Sequence, residues 1–508
     1  MQMTESIQSV LPVILILLPI AGAIFIALAG MSKLKNSREL LALVVLAVEL
    51  AVAVKVGITI LSGKTLIAVG TALFVDGLSA LMILLVNAMV VLITIQSIKY
   101  MKREQERGLV SEGRLTLYYA LILLFTGTMN WTVTTNHMVM LYVAMEGTTL
   151  ATALLVAFYR RKASLEAGYK YVLLVVVGIT FALFGIVLIF AAAYPHLKVG
   201  SHALLLTELG RIAKLIPKNI ALLGIAFMTV GFATKAGLVP FHAWLPDAHS
   251  EAPSPISALL SGLIIKIGAY ALARTVTIFA PTYHSVIVFI AILSSVSMLI
   301  GIFMALVQDD LKRMLAFSSV SQISYVFEGL GLGTYLGIYG GLFHLVNHTL
   351  IKALLFMSVG AIMYATGGLR KISQLGGLAK KMPITAFCFI VGALAIGGLP
   401  PFNGFMSKFT IFLAIGEEKL YGAMAISVVT GVLTLACLVW AAYRVFWRTP
   451  QVEVRGNPGE LKEVPPLVYA SIVILALLCI AIGLFPQMLH PILDSATKAV
   501  LAIWAGGG

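Results

Sequence analysis

Long apolar runs separated by short polar segments extend along the whole chain. The first run, from residue 10 to residue 30, has 21 residues without a charge. A helix needs about 20 apolar residues to cross a bilayer, whereas a membrane strand needs about 9–11. The pattern therefore predicts an all-α polytopic membrane protein. We expect fourteen transmembrane spans, near residues 10–30, 39–62, 72–98, 115–134, 137–159, 169–194, 219–245, 254–280, 285–307, 314–334, 337–364, 383–415, 421–446 and 466–488.

The composition agrees with a chain that lives in lipid. Hydrophobic residues make up 60% of the 508 residues, and charged residues make up only 11%. The net charge of +14 would suit a nucleic-acid-binding protein, but the basic residues cluster in short loops between the apolar runs. We therefore expect a lipid bilayer as the surroundings and no nucleic acid among the partners.

The loops on the two sides of the predicted membrane differ in charge. Those that follow odd-numbered spans hold most of the Lys and Arg residues, and basic loops face the cytoplasm. We therefore expect a multi-pass protein of the plasma membrane with both termini on the outer side. The basic residues on the predicted cytoplasmic side include Lys33, Lys35, Arg38, Lys102, Arg103, Arg107, Arg160, Arg161, Lys162, Arg370, Lys371, Lys380 and Lys381.

Several charges fall deep inside the predicted spans. A charge at the centre of a spanning helix costs roughly 2.5–3.5 kcal/mol, so five unpaired charges would cost on the order of 12–17 kcal/mol. That equals the whole stability of an ordinary fold. Sheltered ionisable groups strung through a membrane are typical of a proton or cation pathway. The five residues are Glu146, Lys235, Lys266, Lys352 and Lys408.

Glu146 and Lys235 form the first predicted pair. Glu146 lies near the middle of the fifth span, and Lys235 lies in the seventh. A contact between them at about 4 Å would be worth about 4 kcal/mol at an effective dielectric near 20. Making or breaking that contact could load or release a lysine proton. The alternative is a static salt bridge that holds two helices together.

Lys266 lies near the middle of the eighth span, between Gly262 and Gly268. Its distance from either helix end is about 20 Å, so its side chain should not reach the membrane surface. The glycines allow close helix approach or the entry of water. We expect Lys266 to relay protons.

His344, His348 and Lys352 follow one another at intervals of four residues in the eleventh span. This spacing places all three on one helix face. Histidine can pass protons in either direction near neutral pH, which makes His344 and His348 candidate relay groups. Two histidines at this spacing could also bind a metal, but no acid or cysteine in the span completes a site. Lys352 ranks below His348 because it could extend to an interface.

One short motif occurs twice. Residues 237–241 and residues 398–402 share the pattern Gly-Leu-x-Pro-Phe, each inside an apolar span. Lys235 precedes the first copy, and Lys408 follows the second. Proline interrupts a helix, and broken helices in matching positions of two halves indicate repeated units with an ion path at the break. The alternative is two unrelated kinks, since Gly and Pro are frequent in spanning helices.

Other polar groups give less information about function. Glu49, Lys55, Asp76 and Glu328 are interpreted as residues near span boundaries, and Asp247, His249 and Glu251 as a loop that funnels cations or caps the next helix. The three cysteines are far apart and form no CxxC pair. With no haem motif or nucleotide loop either, we expect no cofactor and no metal in this chain.

Residues 234–262, TKAGLVPFHAWLPDAHSEAPSPISALLSG, closely resemble the signature of a known family. It comprises the antiporter-like subunits of respiratory complex I, of Mrp-type multisubunit Na⁺/H⁺ antiporters and of membrane-bound hydrogenases. The resemblance continues through residues 309–319, 343–348 and 397–404 to Lys408, and so covers most of the chain. Lys408 itself looks more like the D-type branch of the Mrp antiporters.

The resemblance implies two inverted five-helix repeats with the seventh and twelfth helices broken. The corresponding units are residues 1–110, 111–282 (first repeat), 283–448 (second repeat) and 449–508. It also implies that Glu146 pairs with Lys235 and that a hydrophilic axis continues through Lys266 and His348 to Lys408. One departure is Gln322, where family members often carry a histidine.

The sequence thus predicts a proton-translocating, antiporter-like subunit of a multisubunit membrane complex, with protons relayed along a buried Lys/Glu/His axis. Its expected partners are other membrane subunits and protons, with Na⁺ as the candidate exchanged ion. The complex would be an Mrp-type antiporter, a hydrogenase or a complex I-related reductase. Two alternatives remain: a free-standing secondary transporter, and a structural or quinone-site subunit without an ion path.

Overall fold

The computed structural model describes residues 5–29, 37–197, 199–279, 283–449 and 461–504. Lys33 and Lys35, which belong to a predicted cytoplasmic loop, lie outside these ranges. Within them the chain is a bundle of α-helices with one small sheet, which agrees with the predicted all-α polytopic class. The α-helices are α1 (Leu11–Ala29), α2 (Arg38–Leu61), α3 (Gly77–Glu106), α4 (Glu112–Thr134), α5 (Met138–Val156), α6 (Lys162–Ala193), α7 (Leu206–Ile212), α8 (Lys218–Ala236), α9 (Trp244–Glu251), α10 (Ser254–Leu259), α11 (Ile265–Thr275), α12 (His284–Leu306), α13 (Leu311–Gly331), α14 (Tyr335–Ala365), α15 (Pro383–Gly397), α16 (Asn403–Glu417), α17 (Tyr421–Phe446), α18 (Pro466–Leu484) and α19 (His490–Trp504).

Eleven helices or helix pairs in the described part of the chain are long and apolar enough to cross a membrane. The predicted spans missing from this set correspond to α4, to α13 and to the pair α15–α16. The first two carry many buried Thr, Asn or Ser residues, which lower their hydropathy, and the pair is interrupted. The number fourteen therefore stays a prediction, as do the two inverted repeats.

Both predicted helix breaks are present. Helix α8 ends at Gly237, whose φ of 76° is in the left-handed region, and the chain becomes helical again only at α9. Helix α15 ends in the same way at Gly398, with φ 82°, before α16 begins. Glycine adopts this conformation without a steric penalty, and the following Pro240 and Pro401 have no N–H with which to continue a helix.

A three-stranded sheet was not expected from the sequence. Strand β1 (Glu5–Gln8) pairs in parallel with β2 (Lys64–Ala68), and β2 pairs antiparallel with β3 (Leu73–Val75). The predicted span 72–98 therefore begins in a strand and turns helical at α3, where the Asp76 side chain accepts a hydrogen bond from the Ser79 N–H at 3.0 Å.

Two helical segments form the centre of the bundle. The segment α10–α11 and helix α14 are almost entirely enclosed by protein, whereas α1, α2, α6 and α17 expose apolar side chains along much of their length. An enclosed helix surrounded by helices with apolar outer faces is the arrangement expected of a multi-pass membrane protein.

Candidate functional site

Lys235 is the penultimate residue of α8 and is fully buried beside the helix break. Its Nζ donates hydrogen bonds to Thr149 Oγ1 at 2.7 Å and to the Met145 carbonyl oxygen at 3.4 Å, both in α5. Among the described residues, no carboxylate oxygen lies within 4.0 Å of Lys235 Nζ. Glu146 is half-buried, close enough to interact electrostatically with Lys235, and its Oε1 has no hydrogen-bond partner. Glu146 and Lys235 are therefore neighbours in the structure, but their charged groups are not in direct contact; we call this the open arrangement.

Lys266 is fully buried one residue after the start of α11, which follows a π-helical segment, Leu260–Ile264. A π-helical turn disturbs the regular ladder of backbone hydrogen bonds and is frequent at functional sites. Here the Ser261 carbonyl accepts from Lys266 Nζ, and the Gly262 carbonyl accepts from Thr349 Oγ1 of α14 at 2.8 Å. The predicted close approach is found at Gly268, which packs against the backbone of α8.

His344 and His348 stack on one face of α14, with ring centroids 6.0 Å apart and an interplanar angle of 3°. His344 Nδ1 hydrogen-bonds Ser407 Oγ at 3.0 Å. Both ring nitrogens of His348 are buried without a protein hydrogen-bond partner, so neither is committed to another group. The ring pair therefore offers the relay chemistry that the spacing suggested.

Lys352 does not extend to an interface. It is fully buried, and its Nζ donates to the Leu315 carbonyl oxygen at 3.0 Å and to Ser318 Oγ at 2.5 Å, both in α13. The suggestion that Lys352 reaches an interface was therefore wrong, and its side chain is buried near His348. The spacing of four residues between His348 and Lys352 already places both side chains on one helix face.

Lys408 is buried in α16, next to the second helix break. Its Nζ donates to the Ile396 carbonyl oxygen at 2.7 Å, near the end of α15, and lies 5.0 Å from the centroid of the Tyr325 ring. A cation at the carbonyl end of a helix is favoured by the helix dipole. Pro400 has no N–H with which to occupy this carbonyl group, so the break leaves an acceptor for Lys408.

Four of these side chains lie around His348 of α14. Lys266, Lys352, His344 and Lys408 all lie near enough to His348 to interact with it electrostatically. We call Lys235, Lys266, His348 and Lys408 the basic axis. No set of three or more His, Cys, Asp or Glu residues that could hold a metal ion occurs in the described ranges.

His249 was interpreted as part of a loop, but it lies in α9 and is fully buried. Its ring stacks on Phe356 at 4.6 Å, both ring nitrogens lack a partner, and it interacts electrostatically with Lys266. A helix that is broken at a proline must resume to complete its span. Applied to the break at Pro240, this rule would have placed His249 in a helix.

Glu49 was interpreted as a boundary residue, but it lies in the middle of α2, whereas Glu328 lies near the end of α13, as interpreted. Both carboxyl groups are buried, and each has one oxygen without a partner. Asp76, also assigned to a boundary, forms a buried two-point ion pair with Arg274 at 2.5 and 2.6 Å. Neighbouring helices cover all three groups. This cover cannot be inferred from the distance between a residue and the end of its own helix.

Two family models match the chain. The model described as "NADH:quinone oxidoreductase/Mrp antiporter, TM" matches residues 135–434, and the one described as "NADH-Ubiquinone oxidoreductase (complex I), chain 5 N-terminus" matches residues 64–108. The first covers more than half of the chain and includes the basic axis.

Curated relatives belong to three kinds of complex. The chain is 32% identical to the hydrogenase-4 component F homolog of Methylacidiphilum infernorum, over 78% of this chain and 82% of the relative. It is also 32% identical to NADH-quinone oxidoreductase subunit N of Desulforudis audaxviator, over 73% and 75%. With Na⁺/H⁺ antiporter subunit A1 of Staphylococcus haemolyticus the identity is 32% over 84% of this chain, which spans only 54% of that longer protein.

Solved structures share the fold over almost the whole chain. A chain of the archaeal membrane-bound sulfane sulfur reductase superimposes with a TM-score of 0.86 at 26% identity, covering 98% of this chain and 100% of that chain. A chain of respiratory complex I from Thermus thermophilus gives 0.76 at 26%, covering 94% and 98%. A chain of the Mrp complex from Dietzia sp. DQ12-45-1b gives 0.83 at 22%, covering 97% and 99%, which shows the fold alone.

Proposed function

The chain belongs to the NADH:quinone oxidoreductase/Mrp antiporter transmembrane family, and from this premise we propose that it relays protons across the membrane as an antiporter-like subunit of a multisubunit complex. The named relatives are components of hydrogenase, NADH-quinone oxidoreductase and Na⁺/H⁺ antiporter systems. Other membrane subunits are accordingly its proposed partners. Those subunits supply the driving reaction, and Na⁺ is the candidate exchanged ion.

One observation carries the proposal. The four members of the basic axis are almost completely buried, and none of them forms an ion pair with a carboxylate within 4.0 Å in the described part of the chain. Uncompensated charges in a low-dielectric interior are very unfavourable. Such groups must gain and lose protons or be solvated by water, and both are what a proton pathway requires.

The relay follows from repulsion between like charges. A proton on Lys266 raises the free energy of a second proton on His348, because the two groups interact through a poorly screening interior. Proton uptake at one end therefore favours release at the other. Glu146 controls the entry step: when its carboxylate moves onto Lys235 it stabilises the ammonium form, and when it moves away the proton passes on.

The orientation and the division into repeats are part of the same proposal. The excess of basic residues in the loops after odd-numbered spans supports both termini outside the plasma membrane and the 160–162 loop in the cytoplasm. Units 111–282 and 283–448 each contain one broken helix with a lysine beside the break. This correspondence supports two inverted repeats, with residues 1–110 and 449–508 on either side of them.

The experiment is vectorial proton transport by the assembled complex in vesicles, followed with a pH-sensitive dye. Lys235→Ala should abolish transport while the complex still assembles. A complex that contains Lys235→Ala and pumps at the normal rate would exclude the relay. Transport by the isolated chain at the rate of the complex would favour the free-standing transporter instead.

A further inference from the structure

Glu328 is a buried carboxyl group that the basic axis does not include. It lies three residues before the end of α13 and is 1% exposed. Its Oε2 accepts a hydrogen bond from Ser427 Oγ of α17 at 2.8 Å, and its Oε1 has no partner. A buried carboxylate with an unsatisfied oxygen is unfavourable unless it binds a proton, a cation or water.

Glu328 is connected to the end of the basic axis through Tyr325, one turn earlier on α13. The Tyr325 ring lies under the ammonium group of Lys408, and its hydroxyl donates to the Ser427 carbonyl oxygen at 2.5 Å. Ser427 in turn holds Glu328. Tyr325 and Ser427 therefore lie between Lys408 and a carboxyl group that could receive its proton.

Three buried hydroxyl groups without a protein partner lie on the neighbouring helices α12 and α17. Gly301 of α12 packs against Ser321, and Gly331 of α13 packs against Ile290, so the two helices run antiparallel. Ser294 and Ser295 lie between these two contacts, at the level of Tyr325 and Glu328. Their hydroxyls have no hydrogen-bond partner in the protein, nor does that of Thr430 on α17. Buried hydroxyls of this kind bind water, which conducts protons across a gap that is too long for a direct hydrogen bond.

In the described part of the chain, no Lys, Arg or His nitrogen lies within 4.0 Å of a Glu328 oxygen, although His284, Glu417, Glu418 and Lys419 lie at the same end of the bundle. Helix α12 carries no Asp, Glu, Lys or Arg, and the one such residue of α17, Arg444, lies at the opposite end of that helix. The ionisable groups that α14 and α16 direct toward Tyr325 are His344 and Lys408. The basic axis is thus the natural proton donor to Glu328.

Glu328 is also closer to the outer membrane surface than Lys408 is. Helices α13 and α16 both end on the proposed outer side. Glu328 is three residues from the end of α13, about 4.5 Å along the axis, whereas Lys408 is nine residues from the end of α16, about 13.5 Å. Ile287, Leu332 and Ile415 lie nearer to this end of the bundle than Glu328, in an apolar cluster that also contains Met298 and Tyr325. Apolar constrictions of this kind control water access in channels.

We propose that Glu328 is the proton-release site on the outer side of the basic axis, held behind the apolar cluster until water enters. This inference rests on the proposed proton relay. In the step, the Lys408 ammonium loses one proton and becomes a neutral amine, while the Glu328 carboxylate gains that proton and becomes a neutral acid. Release to the outer water restores the carboxylate, and Lys408 is reprotonated from the His348 side.

The test is the rate of proton transport in vesicles, normalised to the amount of assembled complex that they contain. Glu328→Gln should lower the rate on the order of 10²-fold, the contribution expected of a positioned proton-transfer group, and Glu328→Asp should restore part of it. The matched control is Glu417→Gln. Glu417 is an exposed acid at the C-terminal end of α16, and its replacement should change the rate by no more than about twofold. Infrared difference spectra should show a protonated carboxyl band that Glu328→Gln removes.

Ser427→Ala gives a second measurement if Glu328→Gln does not assemble. It removes the hydroxyl that holds the carboxyl group, so transport should fall and its pH profile should shift. A structural Glu328 predicts lower thermal stability with transport unchanged. Normal transport by Glu328→Gln, or by Ser427→Ala with an unshifted profile, overturns this inference. If Lys235→Ala also transports normally in the same assay, the relay itself fails.

Discussion

Replacing Glu146 by Gln should strongly reduce proton transport without preventing assembly. The side chain is half-buried in α5, one oxygen has no partner, and the Lys235 ammonium group is bound to Thr149 and Met145 of the same helix instead. The substitution keeps the shape and removes the charge. It therefore tests whether the carboxylate acts on Lys235 or only fills space.

The magnitude follows from the separation of the two charges. At 4 Å and an effective dielectric near 20, a unit charge pair is worth about 4 kcal/mol, and the observed open arrangement leaves the pair beyond that distance. Each 1.36 kcal/mol changes a proton equilibrium about tenfold, so closing the contact can change the proton affinity of Lys235 by up to about 10³-fold. Without this control we expect the transport rate to fall on the order of 10²–10³-fold.

The assay is the initial rate of proton transport in vesicles that contain the assembled complex, with subunit content checked on the same sample. Glu166→Gln is the matched control, because Glu166 is an exposed acid of α6 paired with Lys170 at 2.8 Å. Exposed pairs contribute little, so this variant should transport normally. A Glu146→Gln complex that pumps within about twofold of the wild type would refute the switch, since no charge control would then be needed.

Orientation, one buried ion pair and the depth of the basic axis can each be tested separately. A cysteine introduced in the 160–162 loop should resist an impermeant thiol reagent in intact cells and react after permeabilisation; external labelling would invert the orientation. Arg274→Met leaves the buried Asp76 carboxylate unpaired and should lower the free energy of unfolding by about 3–5 kcal/mol, measured by thermal denaturation, and Asp76→Asn in the same chain should recover most of the loss. An experimental structure should place the four axis groups within about 15 Å in depth, half the hydrocarbon core, and facing protein or water; a larger spread would exclude a lateral relay.

The helices were predictable because lipid leaves the backbone few choices. Each N–H and C=O inside the hydrocarbon must find a partner within its own segment, so an apolar run of sufficient length is almost always a helix. The predicted span 421–446 agrees with α17 at both ends. The breaks near Gly237 and Gly398 were also predictable, since Gly and Pro have few conformational alternatives there.

The sheet and the π-helical segment were not predictable in this way. Strands β1 and β2 pair residues about sixty positions apart, for example Ser6 with Thr65, and each is too short to show a periodic pattern. The sequence of the π-helical segment Leu260–Ile264 contains no residue that requires it. It depends on acceptors and donors from other helices, such as Thr349, which only the assembled bundle brings together.

Burial of the acids was missed for a related reason. Glu328 lies three residues from the end of its helix, which in a lone helix would place it at the membrane surface. In the bundle, α17 and an apolar cluster that includes Leu332 enclose it. Depth along one helix can be read from a sequence, whereas the cover provided by neighbouring helices cannot.

The partners of the buried lysines give a physical reason why they can carry protons. Each ammonium group donates to a backbone carbonyl oxygen, in some cases with a hydroxyl as well, and not to a carboxylate. A carbonyl accepts a hydrogen bond from both the ammonium form and the neutral amine, so the bond persists when the proton leaves. A carboxylate would favour the charged form by several kcal/mol and hold the proton in place. Neutral acceptors thus keep both protonation states accessible, and Glu146 can act as a switch because its carboxyl group interacts electrostatically with Lys235. The buried lysines that share this arrangement are Lys235, Lys266, Lys312, Lys352 and Lys408.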